Sequence, residues 1–368
     1  MKKTEKRNRD ALLALVRSGL WERDVNLSCF DTIDYKEVYR LAEEQSVVGL
    51  VAAGIEHVVD LKVPQDIALT FVGNALQLER RNSSLNEFIS TLYPRIVSLG
   101  LSPILLKGQG IAQCYERPLW RSSGDIDLLF RRDQYEIAKD KLSQFSSTDS
   151  QENKETLEYC LNVKTWPVEI HGSLHCLISR KMDKTLGIIQ EETCDKKNYR
   201  IWSNGQVEVT LPSVNDDVII IFTHILKHFF RGGIGLRQIC DWCRLLWYYR
   251  DEIDRDLLLG RINTLGIKTE WEAFAYFAVN ILGMPKDSMP YYSESNKWRK
   301  KAENILKVVI DNGNFGHNKD VSYQQKCPLL IRKIVSLWNL TSDSIRNCSI
   351  FPLDSMKSWG MMITNKLS

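Results

Sequence analysis

Three acidic residues in the sequence have the types and spacing of metal-binding carboxylates. One apolar residue separates Asp125 from Asp127, so a strand there places both carboxylates on the same face. Glu169 lies between two apolar residues in a later strand-like run, where an isolated carboxylate needs a reason. Carboxylates held this close repel each other, and a divalent cation removes the repulsion. Oxygen ligands and substrate phosphates favour Mg²⁺, and three carboxylates suit a two-metal site; the alternative is two solvated acids at a strand end.

A glycine turn precedes the acid pair. Residues 102–107 form a short apolar run of strand length, and a turn beginning at Gly108 opens a short helix. Backbone N–H groups in such a turn approach phosphates, and the helix N-terminus favours an anion. Lys107 and Arg121 flank this site, so they are candidates to neutralise a triphosphate, with a surface role for each as the alternative.

Three histidines are further candidates for the site. His171 shares a strand face with Glu169, so it is expected to contact metal, substrate or Glu169, or to make a structural hydrogen bond. His224 and His228 lie one helical turn apart, the spacing of zinc ligands, but the sequence offers no evident third ligand. We therefore expect this pair to line a packed helix face that closes over the nucleotide.

Arg237 and Asp241 also lie one helical turn apart. This spacing predicts either a local ion pair or contacts that hold the helical region to the α/β core, and both residues are also candidates for substrate binding. Cys240 and Cys243 form the single Cys-x-x-Cys of the sequence, within an apolar helical pattern. Buried packing is the prediction for these two thiols, with a zinc or redox site as the alternative.

Hydrophobic periodicity divides the chain into three predicted regions. Residues 1–100 are predicted to be helical, residues 101–212 to form an α/β core, and residues 213–368 to be helical again. Within the core, we predict a hairpin of residues 157–163 and 168–174 joined at residues 164–167, and a second hairpin around Asn204-Gly205. Residues 146–154 are predicted to be a polar loop. Asp133 and Ser213 are the predicted caps of the helices that follow them.

The composition limits the classes of partner that we expect for this protein. The 368 residues carry 49 Lys and Arg against 46 Asp and Glu, a net charge of +3, which argues against a long nucleic-acid substrate. No apolar stretch approaches the roughly 20 residues that span a bilayer, so no membrane partner is expected. Nine scattered cysteines indicate reduced thiols and a cytoplasmic location.

Several of these motifs resemble a known family. Leu-Leu-Lys-Gly at residues 105–108, Arg-x-x-Gly-Asp-Ile-Asp-Leu-Leu at 121–129 and Val-Glu-Ile-His at 168–171 are similar to the bacterial "uncharacterised nucleotidyltransferase" family. That family belongs to the DNA polymerase beta-like nucleotidyltransferase superfamily. Its helical His-x-x-x-His and Leu-Arg-x-x-x-Asp correspond here to residues 224–228 and 236–241, so the resemblance covers about residues 40–250.

The resemblance implies an α+β fold, in which a mixed β-sheet with helices is flanked by N- and C-terminal helical regions. It also implies that Asp125 and Asp127 bind catalytic Mg²⁺, that Glu169 is the third carboxylate, and that Gly108 and Gln109 form the phosphate turn. Gln109 departs from the pattern, because the superfamily usually has Gly-Ser or Gly-Gly at this turn.

The leading hypothesis is a Mg²⁺-dependent nucleotidyltransferase. It would move a nucleoside monophosphate from a nucleoside triphosphate, with ATP among the candidates, to a hydroxyl of a small molecule or a protein, and release pyrophosphate. An enzyme that adds AMP to another protein is one form of this hypothesis. The alternative is a catalytically silent nucleotide-binding or partner-binding module of the same fold, which the unusual Gln109 favours.

Overall fold

The computed structural model describes residues 3–146, 150–195, 199–316, 318 and 329–367. Helices form the first part of the chain, as the periodicity predicts. The last of them is the longest and ends just before the sheet. These helices are α1 (Lys3–Trp21), α2 (Tyr35–Glu44), α3 (Val48–Glu56) and α4 (Gln65–Ser98).

A five-stranded mixed sheet follows, in the order β1-β2-β5-β4-β3. The central pair β2 and β5 is parallel, and the other neighbours are antiparallel. A separate antiparallel hairpin, β6 and β7, comes later in the chain. The strands are β1 (Ile104–Leu106), β2 (Ile126–Leu129), β3 (Gln151–Asn153), β4 (Glu158–Val163), β5 (Trp166–His171), β6 (Arg200–Asn204) and β7 (Val207–Leu211), and the intervening helices are α5 (Gly108–Ala112), α6 (Tyr135–Ser143) and α7 (Arg180–Asp195).

Helices return after the hairpin. Ser213 caps the first of them, since its hydroxyl accepts the N–H of Asp216, as predicted. The predicted three-region division of the chain stays a prediction. These helices are α8 (Val214–Arg231), α9 (Leu236–Tyr248), α10 (Arg255–Leu265), α11 (Lys268–Tyr276), α12 (Asn296–Asn312), α13 (Leu329–Cys348) and α14 (Pro352–Leu367).

The two faces of the sheet pack against different helices, and this determines where polar strand residues point. Side chains alternate along β2, so Ile126 and Leu128 join a buried cluster with residues of α4 and α6. Leu129 belongs instead to the larger core that contains α1, α8 and α9. Asp127 alternates with the first set, so it lies on the face that α8 and α9 cover. The fold class is therefore α+β, with helices on both faces of a mixed sheet, which confirms the predicted class.

Three local predictions differ from the structure. Asp133 does not cap α6, because its carboxylate accepts from Arg131 at 3.2 Å and Gln134 occupies the cap position without a side-chain hydrogen bond. The turn between β4 and β5 is shorter than predicted, because Lys164 adopts a positive φ of 57° and the second strand already begins at Trp166. Residues 151–153 form an edge strand rather than loop, and 147–149 of that predicted loop lie outside the described residues.

The remaining predictions concern the cysteines, the membrane and the last part of the chain. The described cysteines are free, and Cys240 and Cys243 are buried in α9. Across the described ranges, no helix combines the length and the apolar character needed to cross a membrane. The cytoplasmic location stays a prediction. Residues 213–368 were predicted to be helical, without bounds for individual helices beyond residue 313; α13 and α14 lie there, and residues 319–328 lie outside the described part of the chain.

Candidate active site

The predicted carboxylates converge in one cleft of about 220 Å³ between the sheet and α8 and α9. Parallel pairing of β2 with β5 puts Asp127 directly beside Glu169. Asp125 precedes β2 by one residue and lines the same cleft. The register of two strands therefore brings together acids that are more than 40 positions apart in the sequence.

Lys107 contacts the buried carboxylate of Asp127 directly. Its Nζ donates to Asp127 Oδ1 at 3.0 Å and lies 3.5 Å from His224 Nδ1. Although burial favours the neutral amine, the carboxylates of Asp127, Asp125 and Glu169 raise the pKa of Lys107 above its usual value. Burial also acts on Asp127, which is 3% exposed, but Lys107 and His171 hold the pKa of that carboxyl below its usual value. This pair is therefore charged at neutral pH.

The other two acids experience an excess of negative charge. Repulsion from Asp127, followed by burial, raises the pKa of Asp125. Burial, followed by the charge of Asp127, raises the pKa of Glu169. One lysine thus leaves the carboxylates incompletely neutralised, and a divalent cation would stabilise their ionised forms.

The glycine turn lies against the loop that carries Asp125. Lys107 and Gly108 have positive φ values of 52° and 44°, and a side chain at Gly108 would come within 3.6 Å of the Asp125 carbonyl oxygen. Helix α5 begins here, and Ile111 donates the first intrahelical bond to the Lys107 carbonyl at 3.2 Å. The preceding N–H groups lie at the helix start, where the helix itself supplies no acceptor. A glycine at position 108 tolerates this left-handed backbone.

The Gln109 side chain points away from the cleft. It is buried, and its Nε2 donates to Asn86 Oδ1 of α4 at 2.6 Å. The Gln109 amide therefore connects the turn to α4, and the phosphate contact predicted for this residue stays a prediction. The long amide reaches α4, which explains how this turn accommodates a residue larger than serine.

Arg121 and Asp241 form a buried pair between the acid loop and α9. The guanidinium makes two bonds to the carboxylate, at 2.7 and 2.8 Å, and Tyr115 donates to the same carboxylate at 2.8 Å. Arg237 of α9 donates to the Ser122 carbonyl at 3.3 Å. These contacts hold the helical region to the core, the second of the two arrangements predicted for Arg237 and Asp241. The surface alternative for Arg121 is wrong, because its side chain is buried and its charge is balanced by Asp241.

His224 and His228 line the α8 side of the cleft. Their ring centroids are 4.4 Å apart. Burial lowers the pKa of both rings, with a further contribution from the Lys107 charge, and that of His228 falls to about 3. Both imidazoles are therefore neutral at physiological pH. Within the described ranges, three metal-ligating atoms come within 4.8 Å of one another at Asp127, Glu169 and His171, and this group does not include the α8 pair.

His171 lies next to the two paired acids. Its Nε2 is 2.8 Å from Asp127 Oδ1 and 3.5 Å from Glu169 Oε2. Its Nδ1 is 3.8 Å from Glu158 Oε1. Sequence reasoning left metal, substrate and Glu169 open as its partners, and the structure adds two further carboxylates.

Glu158, Lys227 and His175 were not predicted as site residues. Glu158 Oε1 accepts from Lys227 Nζ at 2.9 Å and lies 3.2 Å from His175 Nε2. Burial opposes ionisation, but His175 and Lys227 hold the pKa of Glu158 below its usual value. The register of β4 against β5 places Glu158 opposite His171 and on the face of Glu169, and this register is not visible in the sequence.

Comparison with known proteins identifies the family. The model of a family described as uncharacterised nucleotidyltransferase matches residues 31–283, more than half of the chain. Comparisons with curated proteins and with solved structures found no match. The chain therefore belongs to this nucleotidyltransferase family, and the predicted family and enzyme class are confirmed.

Proposed function

We propose that this member of the nucleotidyltransferase family transfers a nucleoside monophosphate to an acceptor hydroxyl in a Mg²⁺-dependent reaction. The convergence of Asp125, Asp127 and Glu169 in one cleft is the observation that supports it most strongly. The acceptor oxygen forms a bond to the α-phosphorus while the bond from that phosphorus to the bridging oxygen breaks. Pyrophosphate leaves with the electron pair, and the hydroxyl proton passes to a base in the cleft.

The three carboxylates are the proposed metal ligands. Their donor set suits the group, because they supply hard oxygen ligands and already hold one cation, the Lys107 ammonium, 3.0 Å from Asp127. Nucleotidyltransferases generally use divalent metals, and oxygen ligands favour Mg²⁺ among them. When bound, the metal would neutralise phosphate charge and lower the pKa of the acceptor hydroxyl.

Phosphate binding is assigned to the turn and its lysine. The N–H groups of Gly108 and Gln109 lie at the start of α5, where an anion is stabilised. Lys107 supplies a charge beside them, and a divalent cation on Asp127 would leave this ammonium for the triphosphate. Arg121 is assigned a positioning role, because its bidentate pair with Asp241 fixes the loop that carries Asp125.

Glu169 is the proposed base for the acceptor, or a ligand of the metal that activates it. Burial and the charge of Asp127 raise the pKa of Glu169, which makes it a stronger base than an ordinary glutamate. The neutral imidazoles of His224 and His228 form the opposite wall, where the acceptor would be recognised. A small molecule or a protein side chain fits this assignment, and ATP is the first triphosphate to test.

A second candidate function is nucleotide or partner binding without turnover. The ion pair between Lys107 and Asp127 favours it, because an ammonium already neutralises the acid that would hold the metal. The Gln109 side chain also lies outside the cleft, where the superfamily's serine would meet phosphate. The first observation is compatible with catalysis only if a metal displaces Lys107 from Asp127, and the second only if the backbone of the turn binds the phosphate.

Pyrophosphate release tests the proposed function. The protein is incubated with each of the four nucleoside triphosphates, Mg²⁺ and a panel of hydroxyl compounds and proteins. We expect Asp125→Asn to lower release by at least about 10³-fold, since loss of a metal ligand removes several kcal/mol of charge stabilisation. Asp133→Asn is the matched control, because this acid is exposed and pairs with Arg131 outside the cleft. Equal activity of Asp125→Asn and wild type contradicts the proposal.

Calorimetry separates enzyme from binding module. Triphosphate binding that requires Mg²⁺, accompanied by pyrophosphate release, supports the enzyme. Binding of the same triphosphate without release across the whole acceptor panel supports the module.

A further inference from the structure

The inner end of the cleft contains a nitrogen ligand among the acids. Along β5, His171 lies two residues beyond Glu169 on the same face. Asp125 lies at the other end of the row formed by the three acids and His171 in the cleft. The ligand atoms of Asp127, Glu169 and His171 all come within 4.8 Å of one another. The cleft therefore has two different ends, one with oxygen donors alone and one that also offers an imidazole.

Strand pairing fixes this imidazole in place. His171 pairs with Leu129 in the parallel ladder of β2 and β5, and its side chain is buried. Its Nε2 is 2.8 Å from Asp127 Oδ1 and 3.5 Å from Glu169 Oε2, so it faces both acids. A ring held by a central strand loses little freedom on binding a ligand, in contrast to a surface histidine.

The other nitrogen of the ring faces a third carboxylate. Glu158 Oε1 lies 3.8 Å from His171 Nδ1 and is held in turn by Lys227 at 2.9 Å and near His175 at 3.2 Å. A carboxylate behind an imidazole favours the tautomer that carries its proton on that side. Without a metal, Nε2 donates to the ionised Asp127 at 2.8 Å; a cation on Asp127 and Glu169 would take the place of that proton, and Nε2 would then ligate it with the ring proton on Nδ1.

We propose that His171 Nε2 binds a divalent metal together with Asp127 and Glu169, and that this inner position prefers a first-row transition-metal ion such as Mn²⁺ to Mg²⁺. Imidazole binds transition metals, whereas Mg²⁺ prefers oxygen ligands almost exclusively. The outer position at Asp125 and Asp127 has oxygen donors and remains suited to Mg²⁺. The inference rests on the proposed function, because it identifies one of the two metals of that site.

Pulsed electron paramagnetic resonance of bound Mn²⁺ tests the inference. The full chain is stripped of metal, loaded with Mn²⁺ and examined for coupling to a ligand nitrogen. We expect a ¹⁴N coupling that becomes a ¹⁵N coupling when the protein contains ¹⁵N-labelled histidine. This comparison needs no substitution, so it does not depend on the folding of a variant.

Two variants assign the nitrogen. His171→Gln is expected to lose the coupling and to bind Mn²⁺ at least about tenfold more weakly, with a smaller change in Mg²⁺ affinity. His175→Gln is the matched control, since His175 also contacts Glu158 but lies outside the ligand group, and it should retain the coupling. Absence of nitrogen coupling in the wild type, or its persistence in His171→Gln, overturns the inference.

The two proposals fail separately. Mn²⁺ bound through oxygen alone, with pyrophosphate release intact, overturns the role of His171 and leaves the proposed function standing. Nitrogen coupling lost in His171→Gln, without pyrophosphate release for any triphosphate or acceptor, supports the metal site and overturns the enzyme. A wild-type chain that binds no Mn²⁺ overturns the metal assignment in both proposals.

Discussion

Two regions of the molecule bury carboxylates side by side, and they relieve the repulsion in different ways. In the cleft, Asp127 is 3% exposed beside Asp125 and Glu169, and it keeps its charge because Lys107 and His171 contact it. In the C-terminal helices, Glu270 of α11 and Asp354 of α14 are 3% and 6% exposed.

In the helical pair, Asp354 accepts from Lys357 at 2.8 Å, while Glu270 relies on a proton. Burial, followed by the charge and hydrogen bond of Asp354, raises the pKa of Glu270 to about 8, so its carboxyl is protonated at neutral pH. Lys301 has only a weak opposing effect there, and its Nζ donates to the Ile350 carbonyl. The helical pair thus loses one of its two charges, whereas Asp127 in the cleft keeps its charge. Buried acids alone therefore do not mark a candidate active site; the retained charge beside cations in an open cleft is what makes this cleft the candidate.

The largest expected effect is the loss of the cation from the cleft. Without divalent metal, Lys107→Met should lower the free energy of unfolding by about 3–5 kcal/mol, because it leaves buried carboxylates without their partner. Millimolar Mg²⁺ should restore part of this loss. Lys301→Met is the matched control and should cost about 1 kcal/mol, since it removes one hydrogen bond near acids that already share a proton. Denaturant unfolding with and without Mg²⁺ measures both variants. Equal losses of unfolding free energy in the two variants would contradict the difference between the cleft and the helical pair.

The second effect is a pH dependence at the helical pair. Glu270 releases its proton near pH 4.5 when unfolded and near pH 8 when folded, so the folded chain holds one more proton between these values. This group therefore lowers the free energy of unfolding by about 1.4 kcal/mol per pH unit as pH rises through that window, and adds no further change above it. Glu270→Gln should remove this slope and leave pyrophosphate release unchanged. Parallel stability curves of the variant and wild type from pH 5 to 9 would contradict the shared proton.

The smallest effect concerns the turn beside the cleft. Gln109→Ser removes the buried bond to Asn86 and should lower stability by about 1–2 kcal/mol. Transfer activity should stay within about tenfold of the wild type, because the phosphate contact is assigned to the backbone. Thermal unfolding and pyrophosphate release measure the two quantities. A loss of transfer activity greater than about tenfold would assign the Gln109 side chain to catalysis.

Much of the site was predictable because strand alternation is a local rule. The spacing of Asp125 and Asp127, the position of Glu169 and the turn at Gly108 are all read from short segments. The mixed sheet was implied by the resemblance to the family, whereas the cap at Ser213 follows from the same kind of local pattern. Such features depend on neighbours in sequence, so the sequence alone specifies them.

The remainder depends on contacts between distant segments. Arg121 pairs with Asp241, which lies 120 positions away in the sequence, and Gln109 donates to Asn86 of α4. A local sequence pattern shows neither Asp241 nor Asn86 as the partner. Asp133 was a plausible cap until Arg131 supplied a competing partner. Glu158 was missed because the register of β4 against β5, rather than its own surroundings in sequence, places it behind His171.

The most direct test is a crystal structure of the protein with Mg²⁺ and a non-hydrolysable triphosphate. The account predicts the metal on Asp125 and Asp127, the phosphates against the N–H groups that begin at Gly108, and the Lys107 ammonium directed toward the phosphates. A triphosphate bound outside this cleft, or a cleft in which Lys107 still pairs with Asp127 and no metal is bound, would contradict it.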